Sequence, residues 1–377
     1  MKESSLYIHI PFCDHKCIYC DFYSLITQDS IQIYLAALKK EIEYFVRNFS
    51  SGRKFTTIFF GGGTPSLLAP HQIEEIIFHL KKNFMVSEDA EITLETNPGT
   101  VDEKKLKDFL KAGINRISIG IQTFDDDELK FLTRIHNKQT AIETVWLAKE
   151  VGFKNISVDL IFNLPKQTIE KWLLNLQTAL ALPITHLSAY SLILEHGTIL
   201  NKLVLDKKVT LQDEDYDAEL YELTIDFMTR NNFIQYEVSN FARKGFECRH
   251  NLAYWQHKDY LGFGTSAHSF VNGKRWWNYS SLKFYVDAVM EKGNAVIGEE
   301  ILNEQQMKEE FIMLALRSNG LNVIEFNKTF GLNWFKKKEI LIKNYLENGL
   351  LIKRNNLLIL TPKGYVVCDE IIANLIS

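Results

Sequence analysis

The sequence predicts an α/β fold, with a parallel sheet that forms a partial, TIM-like (βα)6 barrel and a winged-helix-like domain at the C-terminus. The first observation behind it is that six apolar or β-branched runs alternate with amphipathic helical stretches between residues 6 and 230. The second is that the chain ends in three helical stretches and a hairpin pattern. Because six units are fewer than the eight of a full barrel, a doubly wound open sheet is the alternative.

The elements follow in order along the chain. The predicted strands cover residues 6–10, 56–60, 91–95, 116–121, 156–162 and 186–192, and the predicted helices cover 31–49, 71–84, 102–112, 139–151, 169–181 and 212–230. From about Phe233 the sequence becomes irregular and rich in aromatic residues. Helical patterns then cover 303–318, 322–330 and 333–347, and Asn355-Asn356 forms the turn of a predicted hairpin. We therefore expect a barrel over 1–232, a connecting segment over 233–300 and a C-terminal domain over 301–377.

Composition limits the class of protein. The hydrophobic fraction of 46% is typical of a globular protein with a substantial core, and a net charge of −4 gives no general attraction for nucleic acid. Five cysteines, three of them within eight positions, do not form a disulfide framework. The N-terminus lacks the apolar core of a signal peptide, and no apolar run approaches membrane-spanning length. We expect a cytoplasmic protein, and peripheral contact with a membrane is compatible with this.

Three cysteines follow the first predicted strand with the spacing C-x3-C-x2-C, at Cys13, Cys17 and Cys20. Three thiolates leave one iron of a 4Fe–4S cluster without a protein ligand, so a small chelating molecule can bind there. His9 and His15 lie nearby, which makes a zinc site the alternative, although the chain has no second C-x2-C knuckle. Inert core thiols are a third interpretation, but packing does not require cysteines at these intervals. The spacing favours the cluster.

Glycines and polar side chains occur at the ends of the later strands. They comprise Gly61-Gly62-Gly63-Thr64 after the second strand, Glu95 on the third, Gln122 and the following Arg134 after the fourth, and Asp159 on the fifth, while the sixth runs toward Ile193. The glycine string lacks the Lys-Ser/Thr ending of a phosphate-binding P-loop. An isolated strand carboxylate is usually a satisfied hydrogen-bond acceptor. Polar groups at the same end of successive parallel strands indicate one rim of one pocket.

These motifs resemble those of radical S-adenosylmethionine (SAM) proteins of the oxygen-independent coproporphyrinogen oxidase-like group, and the resemblance runs over essentially the whole chain. It implies that Cys13, Cys17 and Cys20 hold a 4Fe–4S cluster whose open iron chelates the amino and carboxylate groups of SAM. It further implies a set of SAM-binding residues, which are Tyr7, Tyr19, Gly62, Gly63, Thr64, Glu95, Gln122, Arg134, Asp159 and Ile193. The charges agree, because acidic residues suit the positive sulfonium and an arginine suits the carboxylate.

Two features separate the branches of this family. The coproporphyrinogen-oxidising branch has a fourth cysteine two positions after the third, where this chain has Phe22, and it has a longer N-terminal extension than the twelve residues that precede Cys13 here. The string His250-Asn251-Leu252-Ala253-Tyr254-Trp255 is instead similar to the H-N-x-x-Y-W signature of the heme chaperone branch. The resemblance therefore favours heme handling over porphyrinogen decarboxylation.

His250 is the candidate heme ligand, because a neutral imidazole is a common axial ligand and the nearby Tyr254 and Trp255 could pack on a macrocycle. The alternative is that these residues only order the segment between barrel and tail. The implied partners are heme as cargo and acceptor haemoproteins, including respiratory and membrane-associated ones, with an oligomeric state that depends on the cluster. The competing functions are a radical SAM oxidoreductase acting on a tetrapyrrole and a zinc-stabilised winged-helix binding protein.

Overall fold

The computed structural model describes residues 1–377, and its centre is a parallel sheet. The first six strands are β1 (Lys2–Ile10), β2 (Arg53–Gly62), β3 (Val86–Thr96), β4 (Arg116–Gln122), β5 (Asn155–Phe162) and β6 (His186–Ser191). Each strand pairs in parallel with the next one along the chain, so all six carboxyl ends lie at the same edge. The predicted partial barrel is confirmed.

Eight helices belong to these strand–helix units. They are α1 (Ile31–Phe49), α2 (Pro70–Asn83), α3 (Glu103–Lys111), α4 (Asp126–Phe131), α5 (Lys138–Glu150), α6 (Ile169–Leu180), α7 (Ile199–Leu205) and α8 (Glu214–Arg230). Asp102, Asn137 and Thr168 cap their helices by accepting a backbone N–H three residues later, which fixes where these helices begin. The short α4 and α7 were not predicted, because six or seven residues give little helical periodicity.

The residues after Phe233, whose sequence pattern is irregular, extend the sheet at both edges. They form β7 (Ile234–Gln235), β8 (Asn240–Ala242), α9 (Arg249–Trp255), β9 (Asp259–Phe263), β10 (His268–Val271), β11 (Lys274–Asn278), α10 (Leu282–Lys292) and β12 (Val296–Ile301). β8 pairs antiparallel with β6, whereas β9 pairs in parallel with β1. The twelve-stranded sheet therefore runs from β12 to β7 without closing. The division of the chain at residues 232 and 300 stays a prediction.

The C-terminal region has the predicted winged-helix order. It contains α11 (Glu304–Leu316), β13 (Leu321–Asn322), α12 (Val323–Phe330), α13 (Asn333–Glu347), β14 (Leu351–Arg354), β15 (Leu357–Leu360), α14 (Pro362–Val366) and α15 (Cys368–Ile376). Asn355 has φ of +52° in the turn between β14 and β15, as a tight hairpin turn requires. One core of 73 buried residues runs from the barrel into this domain, so the two pack as a continuous body. None of the helices is both long and apolar enough to cross a membrane.

Candidate cofactor site

A cavity of about 440 Å³ opens at the carboxyl ends of the barrel strands. All of the predicted cluster and SAM residues except Tyr7 line it: Cys13, Cys17, Tyr19, Cys20, Gly62, Gly63, Thr64, Glu95, Gln122, Arg134, Asp159 and Ile193. Residues that are up to 180 positions apart meet here because parallel strands bring their carboxyl ends to one edge. Ile193 is 67% exposed and lies at the rim.

Hydrogen bonds of its backbone hold the cysteine loop in place. The N–H of Cys13 donates to the carbonyl of Leu25 at 2.9 Å, and the N–H of Ile18 donates to Oγ1 of Thr133 at 3.2 Å. Burial raises the pKa of Cys13 and raises that of Cys20 to about 11. Such thiols stay protonated at neutral pH unless a metal takes them as thiolates.

Polar groups contact two of the three sulfurs. Oγ1 of Thr64 lies 3.5 Å from Sγ of Cys13, and Nη1 of Arg134 lies 3.7 Å from Sγ of Cys17. No three His, Cys, Asp or Glu side chains come close enough together to hold a single metal ion. An iron–sulfur cluster needs a wider arrangement, because each thiolate binds a different iron. The three half-buried thiols on one wall of the cavity fit such a cluster.

The glycine string after β2 passes unusually close to this loop. Gly62 has φ of +110°, and a Cβ there would lie 2.6 Å from the ring of His9. A Cβ on Gly63 would lie 2.7 Å from the carbonyl oxygen of Phe12 and 3.0 Å from Sγ of Cys13. Only glycine leaves this space free, so the backbone of the string can pack directly against the sulfur of Cys13.

Arg134 provides a fixed positive charge beside the cysteines. Its Nη2 donates to Oδ1 of Asn97 at 2.7 Å and to the carbonyl of Gly120 at 2.5 Å. Asn97 in turn donates from Nδ2 to Oγ1 of Thr64 at 2.9 Å. The Nε of Arg134 is buried and has no hydrogen-bond partner. A half-buried guanidinium with an unused donor fits a negatively charged carboxylate in the cavity.

Two half-buried carboxyl groups, of Glu95 and Asp159, lie deeper in the barrel. Burial and the neighbouring Asp159 raise the pKa of Glu95 to about 8, and burial also raises the pKa of Asp159. Asp159 accepts hydrogen bonds from the hydroxyls of Ser188 at 2.7 Å and Ser118 at 3.2 Å. The backbone N–H of Gly62 donates to Oε2 of Glu95 at 3.2 Å. A cation entering the cavity would favour the ionised form of both carboxyls, so they suit a positively charged ligand.

Several lining residues were not predicted, among them Ser118, Gly120 and Tyr190. Their signal is the period of two along each strand, which places Ser118, Gly120 and Gln122 on the same face of β4. Gln122 has φ of +72°, and its Nε2 would lie 2.9 Å from a Cβ on Gly120. The alternation of side chains along the strand is visible in the sequence, but the sequence does not show which of the two faces points into the barrel.

Tyr7 and His250 lie in a second, smaller cavity of about 180 Å³ that shares Glu95, Ser118, Asp159 and Tyr190 with the first. His250 is buried on α9, where Nδ1 contacts Oγ1 of Thr57 at 2.7 Å and Nε2 contacts the hydroxyl of Tyr254 at 2.9 Å. Burial and the nearby Arg116 lower the pKa of His250 to about 3, so its imidazole is neutral. Both of its nitrogens are already engaged inside the barrel.

Comparison with known proteins agrees with this architecture. The model of the radical SAM superfamily matches residues 7–177, and that of the HemN C-terminal domain matches residues 302–367. The chain is 35% identical over 370 residues to the heme chaperone HemW of Bacillus subtilis, with 97% of each chain covered. It is 39% identical over 273 residues to HemW of Escherichia coli, covering 71% of this chain and 70% of that protein.

Among solved structures, the chain is similar to the coproporphyrinogen III oxidase HemN of Escherichia coli, which is described as a radical SAM enzyme. The TM-score is 0.85 at 26% identity, and the match covers 100% of this chain and 90% of HemN. The likeness to HemN gives the fold, and the full-length likeness to HemW distinguishes the branch. The chain therefore belongs to the radical SAM superfamily and, within it, to the HemW family.

Proposed function

We propose that this protein binds heme and transfers it to acceptor haemoproteins, and that it does so as a 4Fe–4S protein that also binds SAM. Membership of the radical SAM superfamily implies both cofactors. The observation that supports heme transfer is the match to the HemW heme chaperone of Bacillus subtilis, which leaves only about 3% of either chain uncovered. Respiratory and membrane-associated haemoproteins as acceptors, and an oligomeric state that depends on the cluster, stay predictions.

The residues of the barrel cavity suit the two cofactors in separate places. Cys13, Cys17 and Cys20 would hold the cluster, and the unused Nε of Arg134 would meet the carboxylate of SAM. Glu95 and Asp159 would face the positive part of SAM, and its charge would lower the pKa of both carboxyls. When bound and reduced, the cluster would supply an electron for the cleavage of SAM.

The second candidate is a radical SAM oxidoreductase that acts on a tetrapyrrole, and the likeness to HemN supports it. The residue that separates the two candidates is Phe22, which is 61% exposed and lines the cofactor cavity where the oxidising branch has its fourth cysteine. An exposed phenylalanine can neither bind a metal nor transfer a proton. This position therefore favours the chaperone.

The test is anaerobic reconstitution with iron, sulfide, SAM and heme, followed by mixing with an apo-haemoprotein. We expect a Soret band on the reconstituted protein, transfer of heme to the acceptor, and no oxidation of coproporphyrinogen III. Product formation together with 5′-deoxyadenosine would favour the oxidoreductase instead. Metal analysis of anaerobically purified protein separately tests the zinc alternative, because a cluster requires iron and sulfide near four each.

A variant in which Cys13, Cys17 and Cys20 are all replaced by alanine is the matched control. It cannot hold the cluster, so it separates heme binding that needs the cluster from heme binding that does not. Gel filtration of both proteins with and without the cluster tests the predicted link to oligomeric state. A reconstituted wild-type protein that binds no heme would refute the proposed function.

A further inference from the structure

A second large cavity lies between the barrel and the C-terminal domain, away from the cofactor site. Its volume is about 570 Å³, which is larger than that of the cofactor cavity and within the range of sites that bind cofactor-sized molecules. One wall comes from the start of β1 and the turn that follows α9, and the other from α11, the loop after it and the hairpin. No predicted cluster or SAM residue lines this interdomain cleft, whereas Trp255, which could pack on a macrocycle, does.

His257 faces the cleft from an unusual backbone position. The N–H of His257 donates to the carbonyl of Tyr254, and that of Lys258 donates to the carbonyl of Ala253, both at 2.9 Å. These bonds form a Schellman motif at the C-terminus of α9, and His257 occupies the left-handed position with φ of +53°. Glycine usually takes this position, because a side chain strains the backbone there. Strained backbone is concentrated at functional sites.

The imidazole of His257 is held in place by its neighbours, but hydrogen bonds do not engage both of its ring nitrogens. Its ring stacks on Phe270, with 4.6 Å between centroids and 15° between planes. Nε2 is buried and lies 3.2 Å from Oε2 of Glu310, which leaves Nδ1 as the ring nitrogen for a metal. Arg275 fixes Glu310 through a 2.6 Å bond. A carboxylate beside an imidazole is the usual partner of a metal-binding histidine, and His257 differs in this from the fully bonded His250.

The other groups around the cleft suit a flat, apolar ligand with carboxylates. Trp255 and Phe311 offer aromatic surface on opposite walls, and Lys258 lies at the rim. Lys258 pairs with the exposed Glu3 at 2.8 Å. Such an exposed pair is weak, so a carboxylate of a ligand can replace Glu3.

We propose that this interdomain cleft binds the heme cargo, with His257 as an axial ligand of the iron and Lys258 as the partner of a propionate. The proposal rests on the proposed function, because it names the place where the transferred heme sits. Heme in this cleft touches the barrel side through Trp255 and the C-terminal domain through Phe311. The cargo site is thus distinct from the SAM cavity and from the buried His250.

The test is a titration of the reconstituted full-length protein with ferric heme, followed by absorption spectroscopy. His257→Gly is the main variant, because glycine accepts the left-handed backbone without strain and leaves room for free imidazole. We expect it to shift the Soret band and to weaken heme binding by about tenfold or more. Free imidazole should restore the wild-type band, which a merely destabilised protein would not show. His257→Asn, which also tolerates this backbone, is the second variant.

The matched control is His196→Gly, which removes an exposed histidine from a turn outside the cleft. It should bind heme as the wild type does. If His257→Gly and the wild type have the same spectrum and affinity, ligation by His257 is refuted while the proposed function stands. If the wild type itself binds no heme, the proposed function fails and the cleft site fails with it.

Discussion

Replacing Arg134 by lysine tests whether the cavity binds the carboxylate of SAM. Lysine keeps the positive charge but has no group at the place of Nε, the buried donor without a partner. The loss of one charge-assisted hydrogen bond is worth about 1.5–3 kcal/mol, which corresponds to about 10- to 150-fold weaker binding of SAM. The ammonium can also satisfy only part of the bonding that Nη2 gives Asn97 and Gly120, so unfolding should become easier by about 1–3 kcal/mol.

The assay is calorimetric titration of SAM into protein with a full cluster, together with urea unfolding of the apo-protein. Arg53→Lys is the matched control, because Arg53 is also largely buried with an unpaired Nε but pairs with Asp259 at the opposite end of the strands. It should lose stability without losing affinity for SAM. If Arg134→Lys binds SAM as tightly as the wild type at equal iron content, Arg134 does not recognise the carboxylate.

Three other predictions concern single contacts. Because burial raises the pKa of Glu95 to about 8, ionising this carboxyl destabilises the folded apo-protein. The wild type should therefore lose stability relative to Glu95→Gln as the pH rises from about 4.5 to about 8. If urea unfolding gives the same change of unfolding free energy with pH for both proteins, the prediction is wrong. Gly63→Ala places a Cβ within 2.7–3.0 Å of two carbonyl oxygens and a cysteine sulfur of the cluster loop. It should lower the iron and sulfide content after reconstitution, whereas Gly99→Ala, with φ of +86° but no contact closer than 3.9 Å, should lower stability only. Tyr254→Phe removes the hydroxyl that contacts Nε2 of His250, so unfolding in urea should become easier by about 1–3 kcal/mol, and unchanged stability would mean that the imidazole finds another partner.

Local patterns predicted the elements that carry their own signal. The helices 31–49 and 333–347 were predicted with the bounds that the structure has, because their amphipathic periodicity spans 15 residues or more. The strands after Phe233 were missed because they depend on distant partners, as when Ser4 pairs with Asp259. Short strands of two to six residues carry little alternation of their own.

The same distinction applies to the site. The cysteine spacing and the glycine string are local, so the sequence alone indicated both. The bond from Arg134 to Asn97 joins two loops of the chain, and the interdomain cleft joins α9 to α11, about 50 residues further on. No pattern in one stretch of sequence reveals such a cavity. Only the packing of the two domains defines it.

The helix α9 explains why the H-N-x-x-Y-W string could be interpreted in two ways. The first residue of the string, His250, lies beneath the barrel, where Thr57 and Tyr254 contact its two ring nitrogens. Its last residue, Trp255, lies at the other end of the helix and lines the interdomain cleft. For His250 to bind a heme iron, a buried hydrogen bond would have to break and the ligand would have to enter a cavity of about 180 Å³. His257 needs neither change, because the turn that ends α9 already holds it beside the larger cavity. The string therefore has one end that anchors it beneath the barrel and one end at the interdomain cleft, and the proposed heme ligand His257 follows the cleft end.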